Sequence, residues 1–312
     1  MLSLYMPIAG IPLDVVLLFA LGYSVGVMSG MFGVGGGFIM TPALMFLGVP
    51  SLVAVGTGAL QVVASSVAGT LRHWWQGNVD SLLGLLLIFG GVFGAVSGIQ
   101  LQQFLKGVGQ LDLFISLNYV FVLGIIGSLM LIESVQAIRQ TAARAGLSSR
   151  QRAGQHTLLQ RLPLKVRFRR SKLYASSIPP VLVGVLVGWL TSIMGVGGGF
   201  LLVPALIYVI RVPTRMAIGT SAFQIIIVTG INVIMQSMQN FNVDLLLGLP
   251  IMLGGVLGAQ RGVTMAGRIR QEELRVMLAL LVLGISLRMG IDLVRKPADV
   301  YSVEAIEVLE MP

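Results

Sequence analysis

Gly33-Val34-Gly35-Gly36-Gly37-Phe38 lies between two apolar runs, and Gly195-Val196-Gly197-Gly198-Gly199-Phe200 repeats it 162 residues later. Pro-Ala-Leu follows both copies, as Pro42-Ala43-Leu44 and Pro204-Ala205-Leu206, and 9 of the 12 positions from 33 to 44 are shared. Clustered glycines leave a backbone that need not stay helical and has no side chains to shield it. A second copy half a chain away marks an internal duplication.

The duplication extends outward from these two points. Gly56-Thr57 with Ala59 and Gln61 matches Gly219-Thr220 with Ala222 and Gln224, at an offset of 163. Asn78-Val79-Asp80 matches Asn242-Val243-Asp244 at 164, and Gly90-Gly91-Val92 matches Gly254-Gly255-Val256 at the same offset. The halves are therefore collinear.

The chain of 312 residues is 55% hydrophobic and 11% charged, against about 25% charged in a soluble domain. Several apolar stretches reach the ~20 residues that cross a hydrocarbon core. They do not alternate as barrel strands do. The fold class expected is an all-α polytopic membrane protein: two homologous helical halves with glycine-broken helices and 8–10 membrane segments. The expected organisation is a first transmembrane repeat at 1–133, a basic loop at 134–178, a second repeat at 179–294 and a polar tail at 295–312.

The net charge of +9 resides in one place: residues 134–178 hold ten Lys/Arg and no Asp/Glu. The excess reads as a positive-inside topology signal, which puts this loop in the cytoplasm, and not as a nucleic-acid footprint. With Lys and Arg counted, an inverted arrangement of five segments per half fits better than a parallel arrangement of four. It requires 38–49 and 200–210 to be half-helices, since about twelve residues reach only ~18 Å. Duplication with glycine-interrupted segments in corresponding places is the pattern of secondary transporters. Zero Cys and two His exclude thiolate chemistry and a His-built metal site. No nucleophile or acid–base set lies in the spans, so no enzymatic role is expected. A channel and a membrane scaffold or sensor subunit are the competing classes.

The paired Gly-x-Gly-Gly-Gly-Phe-x-x-x-Pro-Ala-Leu blocks, the Gly-Thr-x-x-x-Gln block after each, and the basic central loop resemble the TauE/SafE sulfite exporter-like family of permeases, over residues from about 13 to 294. The resemblance implies transport of a small sulfur-containing anion, sulfite or an organosulfonate, across the bacterial inner membrane. Import or export is not implied.

Gly35, Gly36, Gly37, Gly197, Gly198 and Gly199 are candidates for one anion site, because a nest of backbone N–H groups needs no charged side chain. Close helix packing through small residues is the competing reading. On that anion-site reading, Leu at Gly36 or Gly198 fills substrate space, and Gly91→Leu serves as a control outside it. Thr57, Gln61, Thr220, Ser221 and Gln224 are polar groups inside apolar spans, suited either to donate to anion oxygens or to bond between helices. Asp80 and Asp244 are candidates for carrying a coupling proton or holding Na⁺, although their places before apolar runs also suit helix capping. No cofactor is expected, and a homo-oligomer is compatible with the sequence.

Overall fold

The structure, a computed structural model, describes residues 3–32, 35–75, 77–143, 165–168, 170–171, 173–266 and 271–294. The first half opens with a short antiparallel hairpin, β1 (Ser3–Met6) and β2 (Ile11–Asp14). Five helices follow: α1 (Val15–Phe32), α2 (Gly37–Phe46), α3 (Ser51–Trp75), α4 (Ser81–Val108) and α5 (Leu111–Ala143). The second half repeats the order. Hairpin β3 (Lys165–Phe168) and β4 (Leu173–Ser176) precedes α6 (Ile178–Met194), α7 (Gly199–Ala205), α8 (Thr214–Met235), α9 (Leu245–Ala266) and α10 (Gln271–Val294). Both α7 and α8 end in a π-helical turn, Leu206–Ile210 and Gln236–Asn240.

The breaks fall where glycine allows them. Gly35, Gly195, Gly197 and Gly198 have φ of 75°, 67°, 74° and 71°, conformations that cost a side-chain-bearing residue. Each break therefore ends one helix inside an apolar stretch and starts another. α2, at 10 residues, reaches only ~15 Å and cannot cross the bilayer alone. Five described helices are long and apolar enough to span: Ser81–Val108, Leu111–Ile132, Met216–Asn240, Leu245–Gly262 and Val276–Val294. Val15–Met31, Gly37–Phe46, Ser51–Val67 and Ile178–Met194 are apolar but shorter. The protein is an all-α polytopic membrane protein.

The halves interlock. α1 packs along α9 and α4 along α6, so the first helix of each half lies on the fourth of the other. Glycine stripes make this approach possible. Methyl groups on Gly22, Gly26 and Gly30 would overlap the backbone of Ile251, Gly255 and Ala259 in turn, so α1 and α9 run parallel. Gly90 and Gly94 sit in the same way on Val181 and Val185. In lipid, backbones this close gain dispersion contacts that side chains would block.

Equivalent helices also pair with each other, α3 with α8 and α5 with α10. Gly124 faces Ser286, Gly127 faces Leu283 and Gly290 faces Val120, so α5 and α10 run antiparallel. Along α5, Leu113, Leu117, Phe121, Ile125 and Leu129 are exposed, whereas Ile115, Tyr119 and Leu123 are buried. An apolar residue exposed every fourth position is a lipid-facing stripe.

Part of 134–178 is structured. α5 continues to Ala143, and the segment ends in the second hairpin, the counterpart of the first. Residues 144–164 and the tail from 295 lie outside the described residues.

Candidate functional site

The two glycine breaks meet in the interior and touch. A methyl group on Gly37 would stand 2.7 Å from the Val196 carbonyl oxygen and 2.8 Å from that of Gly195. The repeat-equivalent rings of Phe38 and Phe200 follow at 5.5 Å between centroids. Gly36, Gly37 and residues 195–200 are all buried. Gly33 and Val34 lie outside the described residues.

α3 supplies one wall. Val62 lies against both loops, 2.6 Å from a methyl placed on Gly37 of the first and 2.3 Å from one on Gly197 of the second, and Ser66 Oγ is 3.7 Å from one on Gly35. Small hydroxyls from the preceding helices brace the loops. The Gly36 N–H donates to Ser29 Oγ at 2.8 Å. Thr191, 162 residues after Ser29, places its Oγ1 2.8 Å from a methyl on Gly198.

Gln61 and Gln224 are fully buried, at 0% and 1% exposure. Neither Gln61 Oε1 nor Nε2 has a hydrogen-bond partner, and Gln224 Oε1 has none. A buried amide left unpaired costs roughly 1–3 kcal/mol, so these are places where a ligand or water gains most. Gln61 lies one residue, or about 100° of helix, from Val62. It faces α9, where a methyl on Gly255 would be 2.7 Å from its Nε2. Gln224 faces Gly91 of α4 in the same way, at 2.8 Å. The glutamines therefore lie in equivalent seams, Gln61 between α3 and α9 and Gln224 between α8 and α4.

Thr57 and Thr220 have a different engagement. The Asp244 N–H donates to Thr57 Oγ1 and the Asp80 N–H to Thr220 Oγ1, both at 3.1 Å. Ser221 Oγ donates to the Ile218 carbonyl at 2.9 Å. The two threonine hydroxyls tie α3 to the start of α9 and α8 to the start of α4.

Asp80 and Asp244 are taken up as acceptors. Asp244 Oδ1 receives Leu246 and Leu247 N–H, and Oδ2 receives Ile8 and Ala9 N–H from the first hairpin. Asp80 Oδ1 receives Leu83 N–H, and Oδ2 receives Ser171 N–H and Oγ from the second hairpin turn. Each carboxylate caps a helix of its own half and pins the hairpin of the other. Capping a helix and pinning a hairpin together account for the side-chain bonds of both carboxylates.

Two glycine substitutions change meaning. A methyl on Gly36 would meet Val25 Cγ1 at 2.8 Å, and one on Gly198 would meet Val187 and Thr191. Bulk there strikes α1 and α6 and leaves the space between the loops alone. Gly91 abuts Gln224, so it is no control outside the site.

Ser29, Thr191 and Val62 were not singled out from the sequence. The signal for the first two was present: small polar residues at equivalent positions just before each glycine run.

A family described as Sulfite exporter TauE/SafE matches residues 18–289. A "Probable membrane transporter protein" of Xylella fastidiosa (strain 9a5c) is 28% identical over 249 residues, covering 79% of this chain and 83% of that one. "Probable membrane transporter protein YunE" of Bacillus subtilis is 26% identical over 276 residues, covering 86% and 94%. "Probable membrane transporter protein MJ0441" of Methanocaldococcus jannaschii is 24% identical over 283 residues, covering 84% and 90%. No solved structure matches significantly.

Proposed function

The chain belongs to the TauE/SafE sulfite exporter family, and from that premise we propose that it is a secondary transporter of a small sulfur-containing anion. Sulfite or an organosulfonate is the cargo, the bacterial inner membrane the location and alternating access the mechanism. The observation that carries this reading is the meeting of the two buried glycine loops, with Gly37 against Val196.

The anion sits between Gly35–Gly37 and Gly197–Gly199, held by backbone N–H groups that become available as the loops part. The buried amides of Gln61 and Gln224, which face α9 and α4 in the present arrangement, turn to it as those seams open. Neutral donors suit a carrier, because an anion bound to a buried Arg leaves slowly. Val62 occupies the shared space in the present closed arrangement, so loading requires the loops to part around it. The two halves are inverted in the membrane, which the antiparallel pairing of α5 with α10 supports. One half then rocks against the other about the α1–α9 and α4–α6 seams. The segment 134–178 faces the cytoplasm, and its charge is one-sided. Hairpin β1–β2 faces outward and hairpin β3–β4 inward.

The test is sulfite and sulfonate binding to monodisperse protein, followed by counterflow in proteoliposomes. A hydrogen bond to a charged partner contributes about 1.5–3 kcal/mol, so Gln61→Leu and Gln224→Leu should each weaken binding roughly 10–100-fold. Gly284, which has nothing within 4 Å of an added methyl, supplies the control Gly284→Ala. Wild-type affinity in both glutamine variants would sink the site. Conductive flux without counterflow would sink the carrier mechanism.

A further inference from the structure

The end of α6 is held by side chains from elsewhere in the fold. The last turn of a helix leaves its carbonyls without intrahelical N–H partners. Here α4, α5 and the π-helical turn that ends α8 reach them. Gln102 Nε2 of α4 donates to Ser192 O at 2.9 Å and Ile193 O at 3.4 Å, Gln236 Nε2 donates to Ser192 O at 3.3 Å, and Tyr119 OH donates to Met194 O. Gln236 Oε1 is in turn held by Asn240 and Asn242.

Thr191 O, one turn back, is held differently. Besides the Gly195 N–H it has only Asn232 Nδ2, at 3.5 Å, the outer limit of a bond. Asn232 Oδ1 has no partner, nor has Thr229 Oγ1 three residues earlier on the same face of α8. Both residues are 0% exposed. Thr191 Oγ1 points back toward Gly198. Thr191 O, at the negative end of a helix dipole where a cation is favoured, thus has beside it a buried amide whose oxygen is unpartnered, with an unpartnered hydroxyl one turn earlier on the same helix.

We propose that Thr191 O and Oγ1, Asn232 Oδ1 and Thr229 Oγ1 form a monovalent cation site, with Na⁺ as the ligand, that loads together with the anion. This rests on the anion reading above. The spacing fits: Ca²⁺, of nearly the same radius as Na⁺, holds oxygens at about 2.3–2.6 Å, which sets adjacent ligands of an octahedron about 3.4 Å apart. The 3.5 Å between Thr191 O and the Asn232 amide matches once the amide turns its oxygen inward, and amide orientation is set by its partner. Neutral ligands leave the ion its full charge. That charge offsets the cost of burying an anion where the loops offer only dipoles, and an anion oxygen completes the shell. Ends of interrupted helices hold Na⁺ in other carriers. The site is one-sided: the positions equivalent to Asn232 and Thr229 are Gly69 and Ser66. Glycine has no side-chain oxygen to offer, so one cation binds per chain.

The experiment uses the purified full chain in NaCl, KCl or choline chloride at fixed pH and ionic strength, read by thermal unfolding and by sulfite binding. Na⁺ alone should raise the melting temperature, and sulfite affinity should rise about tenfold in Na⁺ over choline, within the usual range of coupling between two sites. Asn232→Leu and the near-isosteric Thr229→Val should lose both increments; Thr229→Val carries the test if Asn232→Leu does not fold. Equal melting and binding in Na⁺ and choline would overturn the proposal, as would increments that persist in both variants. Na⁺ stabilisation lost in the variants, with no sulfite or sulfonate binding in any salt, would uphold the cation site and sink the anion reading.

Discussion

At the scale of single residues, glycine performs two separable tasks here. At Gly35, Gly197 and Gly198 it supplies positive φ, and at Gly22, Gly26, Gly30, Gly90 and Gly94 it lets backbones touch. The second task is testable by adding one carbon. Gly26→Ala and Gly94→Ala must push two helix backbones apart, and overpacking typically costs about 1–3 kcal/mol. Gly284→Ala, in open space within α10, should instead gain about 0.5–1 kcal/mol from reduced backbone freedom. Melting of the three proteins in detergent separates them. A Gly26→Ala protein as stable as wild type would refute the seam.

At the scale of elements, the two hairpins act as straps across the halves. Strand β1 with β2 is held at its turn by Asp244, which already caps α9, and the turn after β3 is held by Asp80, which caps α4. Arg170 Nη1 adds a bond to Val79 O at 3.0 Å. Asp244→Ala removes the acceptor for four N–H groups, two of them from the hairpin turn. It should cost about 1–3 kcal/mol, since the donors lose a charged partner. Limited proteolysis should then cut within residues 3–14 faster than in wild type. Asp244→Asn keeps one acceptor oxygen and should fall between the two. Unchanged cleavage in Asp244→Ala would show that the strap is held by its other contacts.

At the scale of the whole molecule, inversion makes a prediction that parallel halves do not share. Trp75 and Met238 are equivalent positions at an offset of 163 and are 78% and 70% exposed. The chain has no native Cys, so Trp75→Cys and Met238→Cys each create a single thiol. An impermeant maleimide applied to intact cells should label Met238→Cys and leave Trp75→Cys unlabelled. Labelling of both would place the halves in the same orientation and would also move the segment 134–178 out of the cytoplasm.

The sequence by itself determined the membrane class, the duplication, the helix breaks and many of the helix ends. Apolar length, glycine runs and capping Asp residues act over a few neighbours, and α4 starting after Asp80 is set by the chain that surrounds it. The β3–β4 hairpin escaped because a basic stretch with little hydrophobic alternation reads as loop, and its anchor, Asp80, is 91 residues away from Ser171. The site was half legible. Equivalent glycine runs announced that two loops matter, but only the tertiary structure decided that they touch, that Val62 and not Gln61 lies against both, and that Thr57 and Thr220 bond to the Asp backbones. A helix residue's role depends on which neighbour faces its side of the helix, and one step along the chain turns that side by about 100°. The pairing of α1 with α9 was equally hidden, because every glycine stripe is locally compatible with every other, and only the assembled core selects the partner.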